Sequence, residues 1–414
     1  MTARLLPPAP ASLTRGLADL PAALDRAQPL RQKHRAQLPS QVAQLSEWLT
    51  TDRDELPRDY LSRPAVLSAY LHYFLPWNLY RQGRLAAGLD LQFKAGQRIV
   101  DVGAGPLTFA LALWLTRPDL RELPLEILAI DRSAAALQAG RRVWDAVAPD
   151  APWRVELLAQ PAGGRALPEA DLMVLANVLN EVHRPGGNDS ESEDDPTDRL
   201  LERWAGSLAP GGRVLVIEPG TRPAARALVM LRAHALECGW RLLAPCPHGE
   251  RCPQPGTGRH PWCHFAFDAA GSPAWLEDLS RRAGLTKDRA SLSFLLLQPG
   301  VAAGPAAPAG REDEVLVVSG AFPLPEQARG RYGCAARGLV LLEEKSPSAN
   351  VGPQPGDSVT VAWPDTPRRD GRSGALIAPL PVPAGGAARG SGPAPGGNGP
   401  RRPAPRKLSR GSGR

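Results

Sequence analysis

The sequence predicts an α/β fold built round a parallel sheet, with a helical region ahead of it and a small β-rich module behind. Short apolar runs recur from about residue 89, each ended by Gly, Asp or Pro. Helical stretches separate these runs, and strands alternating with helices make βαβ units and therefore a parallel sheet. The composition agrees: 43% of the 414 residues are hydrophobic and 22% charged, so most of the chain can bury a core. That length holds two or three domains of about 100–200 residues each.

The elements follow in order. Residues 1–88 read as mostly helical, with Leu67, Tyr70, Leu71, Phe74 and Leu75 at helical spacing and Pro76 expected to break or kink the run. The strands expected next are 98–106 (RIVDVGAGP), 125–131 (LEILAID), 171–179 (DLMVLANVL) and 213–220 (RVLVIEPG). Between the third and fourth of these, residues 186–198 carry six acids and no apolar side chain, which suits a solvated loop. A helix over 276–285 and a buried strand over 291–298 close the core, giving a domain of residues 89–300. After a linker at 300–313, apolar runs at 314–322, 337–345 and 355–363 predict the β-rich module, residues 311–378.

The net charge of +7 resides in the tail. Residues 379–414 hold seven cations and no acid, and 17 of the 36 residues are Gly or Pro, so this stretch buries too little to fold. Such a tail is expected to add salt-sensitive affinity for RNA. The first 378 residues are formally neutral. Lysines number five against 44 arginines, a bias of GC-rich coding that weakens any reading of arginine content by itself. The N-terminus is broken by prolines and makes a poor secretory signal, no window approaches the ~18 apolar residues of a membrane span, and a cytoplasmic location is the expectation.

Candidate ligand-binding residues gather at strand ends. Asp101-Val-Gly103-Ala-Gly105-Pro-Leu107 lies where the first strand turns into a helix, and glycines there let a ligand approach the backbone closely. A side chain at Gly103 is expected to fill that space. A carboxylate at the head of this turn repels a pyrophosphate. It resembles instead the class I S-adenosylmethionine-dependent methyltransferases, where an acid meets the cationic amino-acid end of the cofactor. Leu107 departs from that pattern by replacing its last glycine. Asp131 ends the second strand, as an acceptor for a ribose diol or as a helix N-cap. Asn177 and Asn180-Glu181 end the third, where such enzymes line the methyl-donor pocket, or where polar residues cap a loop.

Four cysteines form a second constellation. Cys246, Cys252 and Cys263 follow a Cys-x5-Cys-x10-Cys spacing with prolines alongside, three histidines share their window, and Cys334 lies in the C-terminal module. In a cysteine-poor chain this favours metal over disulfide, with iron–sulfur and zinc both open. Cys238 ends a helical stretch and reads as a small core residue.

The segments 60–78, 100–108, 175–182, 216–221, 244–253 and 262–265 stand in the order of a known group. The chain resembles the small-ribosomal-subunit methyltransferase-like family over roughly residues 60–345, with 244–265 the most specific part. The resemblance implies a class I (Rossmann-like) core with a Cys-rich metal-binding insertion at 238–268. It also implies S-adenosylmethionine as cofactor and the small ribosomal subunit and its RNA as partners, with neither DNA nor membrane. Relatives hold a four-iron four-sulfur cluster through four cysteines, matched here by Cys246, Cys252, Cys263 and, less closely, Cys334. No residue set dictates an acceptor chemistry, neither an Asn-Pro-Pro-Tyr motif nor a cysteine nucleophile. The expectation is therefore a ribosomal-RNA methyltransferase, the alternatives being a non-catalytic assembly factor or a small-molecule methyltransferase with a zinc site.

Overall fold

The structure, a computed structural model, describes residues 4–50, 60–162, 167–179, 196–258, 260–300, 311–345 and 352–380. The chain divides into two units, Met1–Leu380 and Pro381–Arg414, and the second lies outside the described residues. So do most of the acidic segment at 186–198 and of the 300–313 linker, though Pro196 already starts a helix.

The N-terminal region is helical: α1 (Ala11–Ala27), α2 (Gln32–Thr50), α3 (Pro64–Ala69) and α4 (Leu75–Gly88). Pro76 does not break the run. A π-helical turn over Tyr70–Phe74 joins α3 to α4, and the Leu75 N–H donates to the Tyr70 carbonyl five residues back. One extra residue in that turn takes up the misfit of a ring that has no N–H to give.

The central sheet holds β1 (Arg98–Val102), β2 (Glu126–Asp131), β3 (Arg154–Ala159), β4 (Ala170–Ala176), β5 (Leu208–Pro219), β6 (Arg241–Ala244), β7 (Phe265–Asp268) and β8 (Arg289–Gln298). Its order is β3-β2-β1-β4-β5-β8-β6, with β7 also on β8. The first five are parallel and β8 runs antiparallel to its neighbours, so the sheet is mixed and not purely parallel. Strand order reverses between β1 and β4, the switch point at which open α/β sheets bind ligands beyond the strand C-termini. Side chains alternate across the sheet. Val100, Val102, Met173, Leu175, Val214 and Val216 join one core, and Ile99, Leu172, Val174, Leu215 and Ile217 the other, which also holds α1 and α4 side chains. Asp101 shares the face of Ile99, so its carboxyl lies on the side covered by the N-terminal helices.

Residues 314–379 form a second sheet: β9 (Glu314–Val317), β10 (Phe322–Pro323), β11 (Arg329–Ala335), β12 (Gly338–Glu344), β13 (Ser358–Thr360) and β14 (Leu376–Pro379), in the order β13-β9-β11-β12-β14 with β10 on β11. Val315, Val317 and Ala335 enter its own core, while Leu316, Val318 and Cys334 join the main core. The same period of two therefore aims Cys334 at the main core. At the other end of the chain Arg4 pairs with Asp357 at 2.6 Å, and the Leu5 N–H donates to the Gly356 carbonyl. No helix among the described residues is long and apolar enough to cross a membrane.

Candidate functional site

The end of β1 turns tightly. The N–H groups of Gly103 and Ala104 both donate to the Ile130 carbonyl, at 2.7 and 2.9 Å, tying the turn to β2. Gly103 has φ +74°, and a Cβ there would stand 2.2 Å from Val178 Cγ2. The glycine is thus demanded by the chain's own packing. Gly105, at φ +52°, is the position whose Cβ would enter open space. Leu107 adopts φ 59°, ψ 39°, the left-handed geometry usually left to glycine, and is fully buried. A non-glycine residue there carries about 1–2 kcal/mol of strain, repaid by burial of the leucine side chain.

Asp131 sits at the mouth of this turn. Its two oxygens accept the N–H groups of Gly105 and Ser133, each at 2.8 Å. Burial raises its pKa and those two N–H groups oppose the rise. Ser133, not Asp131, caps the next helix, Ala134–Val147, by accepting the Ala136 N–H. A carboxylate keeps further lone pairs after two such bonds, and Asp131 braces the glycine turn.

Asp101 is 1% exposed, and neither of its oxygens has a hydrogen-bond partner among the described residues. Burial, then the negative charge of Asp131, pushes its pKa up to about 8. A cavity with about 240 Å³ of empty space opens on it, and Gly103 and Asn177 also line it. Asn177 holds φ 63°, a backbone geometry asparagine tolerates. Sequence reasoning missed the opposite wall, formed by Tyr70, Asn78 and Gln82 of the N-terminal helices. Gln82 is 2% exposed with an unpartnered Oε1. The signal was present: two polar residues at i, i+4 on an otherwise buried helix. Gln160, just past β3, adds an unpartnered buried amide nitrogen.

The cysteines behave differently. Cys246, Cys252 and Cys263 come from the loop between β6 and β7, and Cys334 from β11, where it pairs with Leu339 of β12. The four are electrostatic neighbours: burial first, then Cys246, Cys252 and Cys334, pushes the Cys263 thiol well up, and Arg232 opposes it. Two of the thiols also meet side-chain partners. Arg232 Nε donates to Cys246 Sγ at 3.2 Å, its Nη2 donates to the carbonyls of His248 and Glu250, and His248 Nε2 lies 3.2 Å from Cys334 Sγ. Among the described residues, no group of three or more His, Cys, Asp or Glu side chains stands in metal-holding geometry. Cys238 is exposed at the end of the helix Arg222–Glu237 and is not a core residue.

The family model described as mitochondrial small ribosomal subunit Rsm22 matches residues 85–277, so the chain is similar to the small-subunit family its motifs resemble. No curated protein matches it. Among solved structures, it is similar to an S-adenosylmethionine-dependent methyltransferase of Geobacter sulfurreducens bound to S-adenosyl-L-homocysteine. That pair has 18% identity and a TM-score of 0.31, covering 54% of this chain and 91% of that one. A putative class I S-adenosylmethionine-dependent methyltransferase of Listeria monocytogenes gives 10% identity and 0.35, covering 71% and 88%. Phosphoethanolamine N-methyltransferase 2 of Haemonchus contortus gives 14% and 0.35, covering 59% and 60%.

Proposed function

We propose that this chain, similar over residues 85–277 to the Rsm22 family, is an S-adenosylmethionine-binding methyltransferase-like protein that acts on the RNA of the small ribosomal subunit. The observation that carries the cofactor is the buried, unpartnered Asp101 carboxyl facing a cavity at the sheet's switch point. An α-ammonium supplies the donors that those oxygens lack, Gly105 leaves room for the cofactor backbone, Asp131 accepts from a ribose diol, and Asn177 lines the methyl-donor end. The cofactor supplies an electrophilic methyl group; the chain's residues bind and orient it and keep water out.

The cluster belongs to the same reading. Cys246, Cys252, Cys263 and Cys334 hold one four-iron four-sulfur cluster, with a structural role at the junction of the 89–300 core and the 311–378 module. Support comes from the soft thiolate donor set and from four sulfurs near enough to act on one another. Holding a cluster would exchange the contacts of Cys246 with Arg232 and of Cys334 with His248 for iron.

Titration calorimetry with S-adenosylmethionine, followed by mapping of methylated small-subunit nucleotides in a deletion strain, tests the first part. Binding with a lost methylation mark is expected. Binding without a lost mark leaves an assembly factor, and absence of binding overturns the cofactor assignment. Protein purified without oxygen should be brown and contain iron and sulfide. Colourless protein with one zinc overturns the cluster.

A further inference from the structure

Two cations beside the cofactor cavity stand without an acid. Lys287 lies just before β8, whose first residues pair with the last residues of β5, Leu292 opposite Pro219. It is therefore at the same sheet edge as Asp101 and Asn177. Its Nζ is 5.7 Å from the Tyr73 ring centroid and 5.9 Å from that of Trp77, two rings that are each 2% exposed. Both rings are fixed: the Tyr73 hydroxyl donates to the Leu285 carbonyl and Trp77 Nε1 to Ser280 Oγ. Arg81 stands one helical turn beyond Trp77 on α4, the ring that Lys287 lies over, and acts on the lysine as a like charge. Arg81 donates to the Asn78 side-chain oxygen, and Asn78 lines the cofactor cavity.

No carboxylate among the described residues pairs with either side chain. Like charges side by side, half-buried and uncompensated, are costly unless an anion joins them. Burial and then Arg81 press the Lys287 pKa down to about 8, so an arriving anion recovers interaction that the free protein lacks.

We propose that Arg81 and Lys287 form a phosphate subsite for the acceptor, seating one phosphodiester of a single-stranded RNA so that the adjoining nucleotide enters the Asn78-lined cavity. The inference rests on the RNA reading above. Arginine supplies a planar fork and lysine a point charge, a pair suited to one phosphate group. The rings of Tyr73 and Trp77 form the apolar wall that holds the lysine in place.

The test is fluorescence anisotropy of a labelled single-stranded oligoribonucleotide with the full-length protein across a salt series. Removing one phosphate contact to a single strand reduces the slope of log K against log salt by about 0.7. Lys287→Gln should show that loss and Lys287→Arg should keep the wild-type slope. Affinity for S-adenosylmethionine, titrated in parallel, should match wild type in both and reports that the variants are folded. The basic tail contributes equally to every variant and cancels in the difference. A wild-type slope in Lys287→Gln overturns the subsite while leaving the RNA reading intact. A wild-type protein that binds no oligoribonucleotide overturns the RNA reading itself, and the subsite with it.

Discussion

The strand-end edge and the cysteine-bearing junction are both candidate sites, yet they are assembled in opposite ways. At the edge, Asp101, Gly103 and Gly105 are nearly consecutive, and the turn is complete in its backbone, held by two bonds to Ile130 and by Asp131. At the junction, the sulfurs come from a loop and from a strand 71 residues beyond Cys263, and His248 and Arg232 occupy two of them. Local turns organise a site before its ligand arrives. A site gathered over a long loop gains its order from the ligand, since closing that loop costs entropy that metal bonds then offset.

Four experiments sharpen or break this contrast. The largest effect is expected at the junction. Cys263→Ser should abolish iron and sulfide content and speed amide exchange in β9, β11 and β12, with little change in β1 or β4. Equal exchange in both sheets would remove the distinction.

Asp101 comes next. Asp101→Asn should weaken S-adenosylmethionine binding by about 1.5–3 kcal/mol, the range for hydrogen bonds to charged groups. The pH dependence has a definite sign. The carboxyl's folded pKa is raised from 3.8 to about 8, so the native state keeps a proton that the unfolded state releases. Its contribution is full below pH 4 and lost as pH rises toward 8. Melting curves of the cofactor-free protein should therefore fall over that window for wild type and stay flatter for Asp101→Asn.

The two glycines should separate folding from binding. Gly103→Ala meets Val178 and should cost about 1–3 kcal/mol of stability, the usual price of overpacking. Gly105→Ala enters open space, so at φ +52° it should carry only the ~1–2 kcal/mol of left-handed strain, without overpacking, and reduce cofactor affinity. If Gly105→Ala leaves cofactor affinity unchanged, the turn is a structural device only. The smallest effect is Arg4→Ala, which removes a partly exposed ion pair with Asp357 and should cost about 0.5–1 kcal/mol by denaturant titration.

The strand-end residues were legible because period-two runs and glycine turns are local signals. β3 was not: Arg154 and Glu156 face solvent at the sheet edge, so no apolar run marks it. β11 reads RGRYGCA, too polar and glycine-rich to stand out, although it carries Cys334. The antiparallel course of β8 is likewise invisible in SLSFLLLQ, since a buried strand reads the same in either direction. The spacing of Asn78 and Gln82 puts them on one face of α4, but that this face walls the cavity, and that Arg81 acts on Lys287, depend on how α4 lies across the sheet.

The bond between Arg4 and Asp357 spans 353 residues of sequence. A ribosome adding about 5–20 residues per second delivers the first of these side chains tens of seconds before the second. Through that interval the leading segment, with its buried Leu6, has no strand loop to lie on, and the faces of Leu316 and Val318 that complete the main core do not yet exist. The order of synthesis therefore opposes the order of closure. The nascent chain must hold an unfinished apolar surface until residues 314–357 have emerged.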